Sequence, residues 1–126
     1  MSGWTPRTWT GLAAVSGLLA VGFGAFAAHG VHDPKAVAWL HTGSQYQMSH
    51  ALAVFAAFGL HRAGARGMGL VAGLFLFGTL VFAGSLYAMA LGAPRILGAI
   101  TPIGGLSFMI GWALLAWRGC TLRDQA

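Results

Sequence analysis

A few polar side chains interrupt an otherwise apolar chain, and they are the residues that could carry chemistry. Histidine, tyrosine, glutamine, serine and threonine each offer hydrogen-bonding groups that can hold a ligand or a neighbouring helix. The candidates, with the proline that follows Thr101, are His29, Tyr46, Gln47, His50, Ser85, Tyr87, Thr101 and Pro102. Counting about 1.5 Å per residue from the expected helix ends places them in one layer in the outer half of the bundle, whereas Ser16 is expected in the inner half. We expect this polar layer to be either a binding site or a hydrogen-bond cluster that fixes the helices.

His50 is the candidate expected to lie deepest in this layer. A neutral imidazole can donate a hydrogen bond from one nitrogen and accept one at the other. Tyr46 lies four residues before His50 and Gln47 three residues before it, so a helix presents all three on one face. Whether this group binds an ion or ligand, or only joins helices, stays open at this stage.

Catalytic chemistry finds little support in the remaining residues. Asp33 and Asp124 are the only carboxylates, and neither falls in an apolar stretch. No pair of carboxylates, no Ser/His/Asp arrangement and no phosphate-binding loop is present. His29, His32 and Asp33 lack a cysteine or glutamate to complete a metal site. We therefore expect no enzyme activity, no bound cofactor and no metal centre.

The composition indicates the environment in which these residues lie. Charged side chains make up 7% of the 126 residues and hydrophobic ones 57%, whereas soluble domains carry about 25% charged residues. So few charges cannot solvate the surface of a soluble domain. The basic residues are scattered and form no patch, so we expect no nucleic-acid partner. The chain is predicted to be an integral membrane protein surrounded by lipids.

Four apolar stretches are long enough to cross a bilayer, which takes about 20 residues. We predict an all-α membrane protein, one domain over residues 1–126, with helices at about 8–28, 43–60, 68–92 and 96–117. Short connections make successive helices antiparallel, so the expected fold is an up-down-up-down four-helix bundle. Residues 34–42 are expected to form an interfacial helix lying on the membrane surface. Trp4, Trp9, Trp112 and Trp117 are expected at the headgroups.

The basic residues predict the orientation of this bundle. One side holds Arg7, Arg62, Arg66, Arg118 and Arg123, and the opposite side holds Lys35 and Arg95. Loops rich in lysine and arginine stay in the cytoplasm. Both termini are therefore expected to be cytoplasmic.

Small residues are expected to bring the helices together, because lipid gives helices no hydrophobic reason to associate. Glycines at helical spacing allow close backbone approach. The candidates for helix packing are Gly24, Gly69, Gly73, Gly104, Gly105 and Gly111.

Four motifs, in order along the chain, resemble one family of small membrane proteins. They are Gly24-Ala25-Phe26-Ala27-Ala28-His29-Gly30, Tyr46-Gln47-Met48-Ser49-His50-Ala51-Leu52-Ala53, Gly84-Ser85-Leu86-Tyr87 and Ile100-Thr101-Pro102-Ile103-Gly104-Gly105. The family is domain of unknown function 423, which includes transmembrane protein 256. Ala27 stands where that family is expected to have glycine.

The resemblance implies four transmembrane helices and a multi-pass protein of the bacterial inner membrane, with no established activity. It marks residues of the polar layer as the places to look, namely His29, Gln47, His50, Ser85, Tyr87, Thr101 and Pro102. The leading hypothesis is binding or assembly through this layer. The alternatives are ion or small-solute transport as an oligomer, and binding of lipid, quinone, metal or haem between helices. A homo-oligomer or a membrane-protein partner stays open.

Overall fold

A computed structural model describes residues 3–122 of the chain, and within them the fold is all-helical. Arg123 and Asp124, which entered the charge analysis, lie outside the described residues. The four α-helices are α1 (Pro6–His29), α2 (Pro34–Arg62), α3 (Met68–Ala90) and α4 (Thr101–Cys120). A short 3-10 helix, Arg95–Ala99, leads into α4. Three segments are long and apolar enough to cross a membrane: α1, α3 and Arg95–Cys120.

The first two helices begin where the local sequence dictates. Thr5 and Asp33 are the N-cap residues, and their side chains accept hydrogen bonds from the backbone N–H groups of Thr8 and Ala36. A proline follows each cap, and its fixed φ angle and missing N–H suit the first helical position.

Residues 34–42, expected as a separate interfacial helix, are instead the first turns of α2. The helix runs from Pro34 to Arg62 without a break, although Thr42 and Gly43 are weak helix formers. Gly43 lies within the helix, and the ring of Tyr87 occupies the space beside it. A Cβ atom built on Gly43 would lie 2.6 Å from that ring. This glycine therefore provides close packing and does not end the helix.

The helices pack in the order of the chain, with α2 and α3 as the central pair. Contacts between successive helices run in opposite directions, as between α3 and α4, where Phe75 meets Gly111 and Ser85 meets Thr101. Successive helices are therefore antiparallel. Within residues 3–122, α1 and α4 do not contact each other. The assembly is thus open rather than a closed square of four helices, and α1 and α3 touch only lightly.

Two buried clusters form the core. The larger one joins all four helices and contains Ala13, Val54, Ala57, Met68, Val71, Phe75, Phe108 and Leu115. The smaller one, near the other end, contains Ala27, Leu40, Ala83 and Tyr87. Trp9 belongs to the larger cluster and is only 3% exposed, so this indole packs inside the protein. Its ring lies edge-on to His61 of α2, and its expected depth at the headgroups stays a prediction.

The closest helix contact lies between α3 and α4. A Cβ atom on Gly104 would lie 2.5 Å from the backbone nitrogen of Phe82 and 2.8 Å from the carbonyl oxygen of Gly78. Gly78, which was not among the expected packing glycines, faces Gly104 across this contact. Two glycines are needed here because each lacks the atom that would separate the backbones.

The other expected packing glycines differ in how tightly they are enclosed. Gly111 lies against the ring of Phe75 and Gly69 against Trp9. Gly24 and Gly73 make ordinary contacts with Ser44 and Trp4. Gly105 is the loosest of the set, because a Cβ atom there would meet only the ring of Phe82, at 3.9 Å.

Gly104→Ala is expected to destabilise the fold, and Gly105→Ala is expected not to. Overpacking at Gly104 meets backbone atoms that cannot move aside and should cost about 1–3 kcal/mol. Gly105→Ala enters available space and should be neutral or favourable, because alanine is the better helix former by up to about 1 kcal/mol. Unfolding in mixed micelles, followed by tryptophan fluorescence, measures both. Equal stability of the two variants would contradict this account of the α3–α4 contact.

Candidate functional site

The expected polar layer is divided by the structure into three separate groups. One joins α1, α2 and α3, a second joins α2 and α4, and a third joins α3 and α4. His29, at the end of α1, and Pro102 are exposed and take no part in these groups. The residues predicted to share a layer therefore do not meet at one point.

The first group is a chain of hydrogen bonds through Gln47. The Tyr87 hydroxyl donates to Oε1 of Gln47 at 2.6 Å, and Nε2 of Gln47 donates to the Ser16 hydroxyl oxygen at 3.2 Å. All three residues are buried. The side chains come from three different helices, so the chain of bonds fixes the relative positions of α1, α2 and α3.

Packing around Tyr87 explains why its hydroxyl reaches Gln47. The ring lies on Gly43 on one side, and Phe23 of α1 stacks on it with the ring centroids 3.8 Å apart. Held between these two residues, the phenol points along α3 toward the N-terminal end of the helix, as helical side chains do. Phe23 and Gly43 are thus positioning residues that the polar pattern alone did not reveal.

This group lies at the base of a groove between α1 and α3, which we call the α1–α3 groove. The groove encloses about 500 Å³, within the range of about 300–1,000 Å³ typical of small-molecule sites. Its walls are apolar and include Leu12, Val15, Leu19, Leu76, Phe77 and Leu80. The polar side chains at its base are Ser16, Gln47, Thr79 and Tyr87. The groove exists because α1 and α3 touch only lightly.

The second group holds His50 at both ring nitrogens. Nε1 of Trp112 donates to Nε2 of His50 at 2.9 Å, and Nδ1 of His50 lies 2.7 Å from the carbonyl oxygen of Tyr46. A carbonyl can only accept and an indole N–H can only donate. His50 is therefore neutral, with its proton on Nδ1, and neither nitrogen is free for a metal or haem.

Aromatic rings enclose this imidazole. Phe108 stacks on it at 3.6 Å between centroids, and Phe75 meets it edge-on at 5.3 Å. Tyr46 is 45% exposed and packs on Phe82. Trp112 is the hydrogen-bond partner of His50, and its expected position at the headgroups stays a prediction. The surroundings of His50 are those of a packed structural contact.

The third group fastens the start of α4 to α3. The hydroxyl oxygens of Ser85 and Thr101 are 2.6 Å apart, and Ser85 also lies within hydrogen-bonding distance of the Phe82 carbonyl oxygen. Further along the same interface, the Ser107 hydroxyl donates to the carbonyl of Leu74 at 2.7 Å. These bonds flank the Gly78–Gly104 contact and set the register of the two helices.

Residues 3–122 contain no cluster of three or more histidine, cysteine or carboxylate side chains that could hold a metal ion. His29 and His32 are exposed, and Asp33 is engaged as the N-cap of α2. Two spaces among the described residues have polar side chains in their lining. One is the α1–α3 groove, and the other is a smaller pocket of about 340 Å³ beside Arg66 and Arg118 at the end of α4. Of the two, the α1–α3 groove has apolar walls around its polar groups.

Trp112→Phe is expected to weaken the protein by removing the partner of His50. Nε2 of His50 would then lose its donor, and intramembrane hydrogen bonds are worth about 0.6 kcal/mol on average and up to about 1.7. Unfolding in mixed micelles gives the loss, and the ¹⁵N shift of the His50 nitrogens reports the changed bond. Trp117→Phe is the matched control, since Trp117 is exposed at the end of α4. An unchanged His50 spectrum in Trp112→Phe would contradict the assigned bond.

Comparison with known proteins identifies the family. The family model described as "Protein of unknown function (DUF423)" matches residues 23–105. A UPF0382 membrane protein of Haemophilus influenzae is 44% identical over 109 residues, covering 84% of this chain and 88% of the relative. The UPF0382 membrane protein YwdK of Bacillus subtilis is 44% identical over 110 residues, covering 82% and 89%.

The UPF0382 inner membrane protein YgdD of Escherichia coli K12 is 39% identical over 118 residues, covering 88% of each chain. No solved structure matches this chain. The apolar helices and these relatives confirm the predicted multi-pass location in the inner membrane. The resemblance carried by the four motifs is likewise confirmed: this chain belongs to the DUF423 family of membrane proteins.

Proposed function

We propose that this protein is an intramembrane binding protein whose site is the α1–α3 groove, and that it binds an apolar molecule dissolved in the bilayer. The proposal rests on one observation, the hydrogen-bonded group Ser16–Gln47–Tyr87 at the base of an apolar groove. An apolar pocket with a few convergent polar groups is the usual form of a small-molecule site.

Binding agrees with this geometry better than transport or catalysis. Within residues 3–122, the polar side chains that join helices in the expected layer form three separate sets, whereas a path for ions needs polar groups that continue across the membrane. Asp33, the carboxylate within the described residues, caps α2. Proton relays in membranes and acid–base catalysts use a carboxylate or a histidine, and both ring nitrogens of His50 are already hydrogen-bonded within the protein. The groove instead offers apolar walls and a hydrogen-bonding base.

We further propose that α2 crosses the membrane with the other three helices and that both termini are cytoplasmic. Helix α2 lies between α1 and α3 and is antiparallel to both, so it returns the chain across the bilayer that α1 and α3 span. Its polar residues Gln47 and His50 are buried against neighbouring helices. Arg62, Arg66 and Arg118 lie on the side proposed to be cytoplasmic, which follows the distribution of positive charge.

The lone cysteine gives a direct test of this topology. Cys120 is exposed at the end of α4. A membrane-impermeant maleimide is expected to leave it unlabelled in intact spheroplasts and to label it in inside-out vesicles. His32→Cys, made together with Cys120→Ser, places the thiol in the exposed α1–α2 loop and should show the reverse pattern. Labelling of Cys120 from outside would reject the proposed orientation.

Filling the groove tests the binding site. Gly84 lines the groove, and a Cβ atom there meets no heavy atom within 4 Å. Gly84→Leu should therefore fold normally and occupy the groove, lowering saturable binding of tritiated decylbenzoquinone or decylbenzene in nanodiscs at least tenfold. Gly59→Leu is the matched control, because Gly59 is equally unobstructed but lies outside the groove. Absence of saturable binding of both probes to the unmodified protein, or equal binding by the two variants, would overturn the proposed site.

A further inference from the structure

We infer that the α1–α3 groove takes a lipid-soluble molecule with a carbonyl oxygen on a flat ring and an apolar tail, which is the chemistry of a quinone. This inference rests on the proposed function and adds the class of ligand. It follows from the hydrogen-bond donors left over at the base of the groove, from their depth and from the shape of the walls.

The polar side chains at the base of the groove carry more hydrogen-bond donors than the hydrogen bonds among them use. Ser16 and Tyr87 each bring one O–H, and the Gln47 amide brings two N–H donors. Two hydrogen bonds join the three residues, so two of the four donors are used and two remain. If the amide of Gln47 is rotated by 180°, Ser16 donates to its oxygen and the hydroxyl of Tyr87 becomes the spare one. Two donors remain without an acceptor in either orientation. The described structure gives neither spare donor another acceptor.

Inside a membrane, a hydrogen-bond donor without an acceptor costs free energy. A buried donor without an acceptor loses its hydration and gains nothing in return, and the hydrocarbon core contains no water to compensate. An oxygen that accepts two hydrogen bonds would satisfy both donors at once. A carbonyl oxygen has two lone pairs and no proton of its own, so it is the complementary group.

Depth separates a quinone from the abundant membrane lipids. Ser16 lies ten residues after the start of α1 at Pro6, which is about 15 Å at about 1.5 Å per residue. The hydrocarbon core is about 30 Å thick, so the spare donors lie near its centre. Ester carbonyls of glycerolipids remain close to the headgroups. A ring carbonyl without a charged headgroup can reach the centre of the bilayer.

The walls fit the rest of such a molecule. Phe23, stacked on Tyr87, lines the groove beside the polar base and supplies aromatic surface for contact with a ring. From Tyr87 the groove continues along α3 to Gly73, a distance of about 21 Å for fourteen helical residues. Leucine and phenylalanine side chains line this length, and Trp4 lies at the far end beside Gly73. An apolar chain therefore fits along the groove with its ring at the polar base.

Matched probes test the inference in nanodiscs by saturable binding. Decylbenzoquinone carries the carbonyl oxygens, decylbenzene lacks them, and dioctanoylglycerol carries ester carbonyls. The unmodified protein is expected to bind decylbenzoquinone about tenfold more tightly than decylbenzene, which corresponds to about 1.4 kcal/mol. Dioctanoylglycerol should compete weakly.

Two variants and one control test whether the preference for the quinone comes from the polar side chains at the base of the groove. Ser16→Ala removes one hydroxyl with little change in packing, and Gln47→Leu removes the amide; in both the quinone preference should fall to about threefold or less. Ser85→Ala disturbs a different polar group and should retain it. Equal affinity for the two decyl probes would overturn the quinone inference while leaving the groove as a site. Preference persisting in both Ser16→Ala and Gln47→Leu, or stronger binding of dioctanoylglycerol, would overturn it too.

Discussion

The hydrocarbon core contains no water, so a polar side chain inside it can gain hydrogen bonds only from the protein or from a bound molecule. The helices of this chain are held in position largely through this constraint. Trp112 supplies the donor that Nε2 of His50 needs, and the hydroxyls of Ser85 and Thr101 pair with each other. Each of these bonds joins two helices and can form in only one register. The Gln47 group also joins helices, but its donors exceed the acceptors that the protein provides.

Small residues decide which helices approach closely and which leave space. Gly78 and Gly104 bring α3 and α4 together until their backbones touch. Between α1 and α3, side chains of Leu12, Leu76 and Leu80 line an open space instead. The rigid α3–α4 contact therefore supports one wall of the groove, and α1, held mainly by α2, forms the other.

The sequence was sufficient to predict an all-helical membrane protein, because long apolar runs have few other structures available in lipid. It did not predict the continuity of α2. Gly43 suggested a break in the helix, because the ring of Tyr87 that fills the space beside it comes from a distant part of the chain. That longer helix also changes the depth of Gln47, which pairs with Ser16 although the two were expected in different halves of the membrane.

The rotation of each helix about its own axis could not be predicted from the sequence either. Helices that are apolar on all sides carry no amphipathic stripe to show which face turns inward. The hydrogen bond between Trp112 and His50 could therefore not be predicted, because the face of α4 that packs on Phe75 was unknown. His29 was assigned to the polar layer from its position near the end of α1, and its exposure reflects the same missing information.

The separation of α1 from α4 has a consequence for how the protein is made. Because the helices pack mainly on their neighbours in the chain, a principal partner of α2, α3 and α4 has already been synthesised when each of them enters the bilayer. Contacts between elements close in sequence cost little chain entropy to form. The protein can therefore assemble one helical hairpin at a time during synthesis, and no final step has to join the first helix to the last.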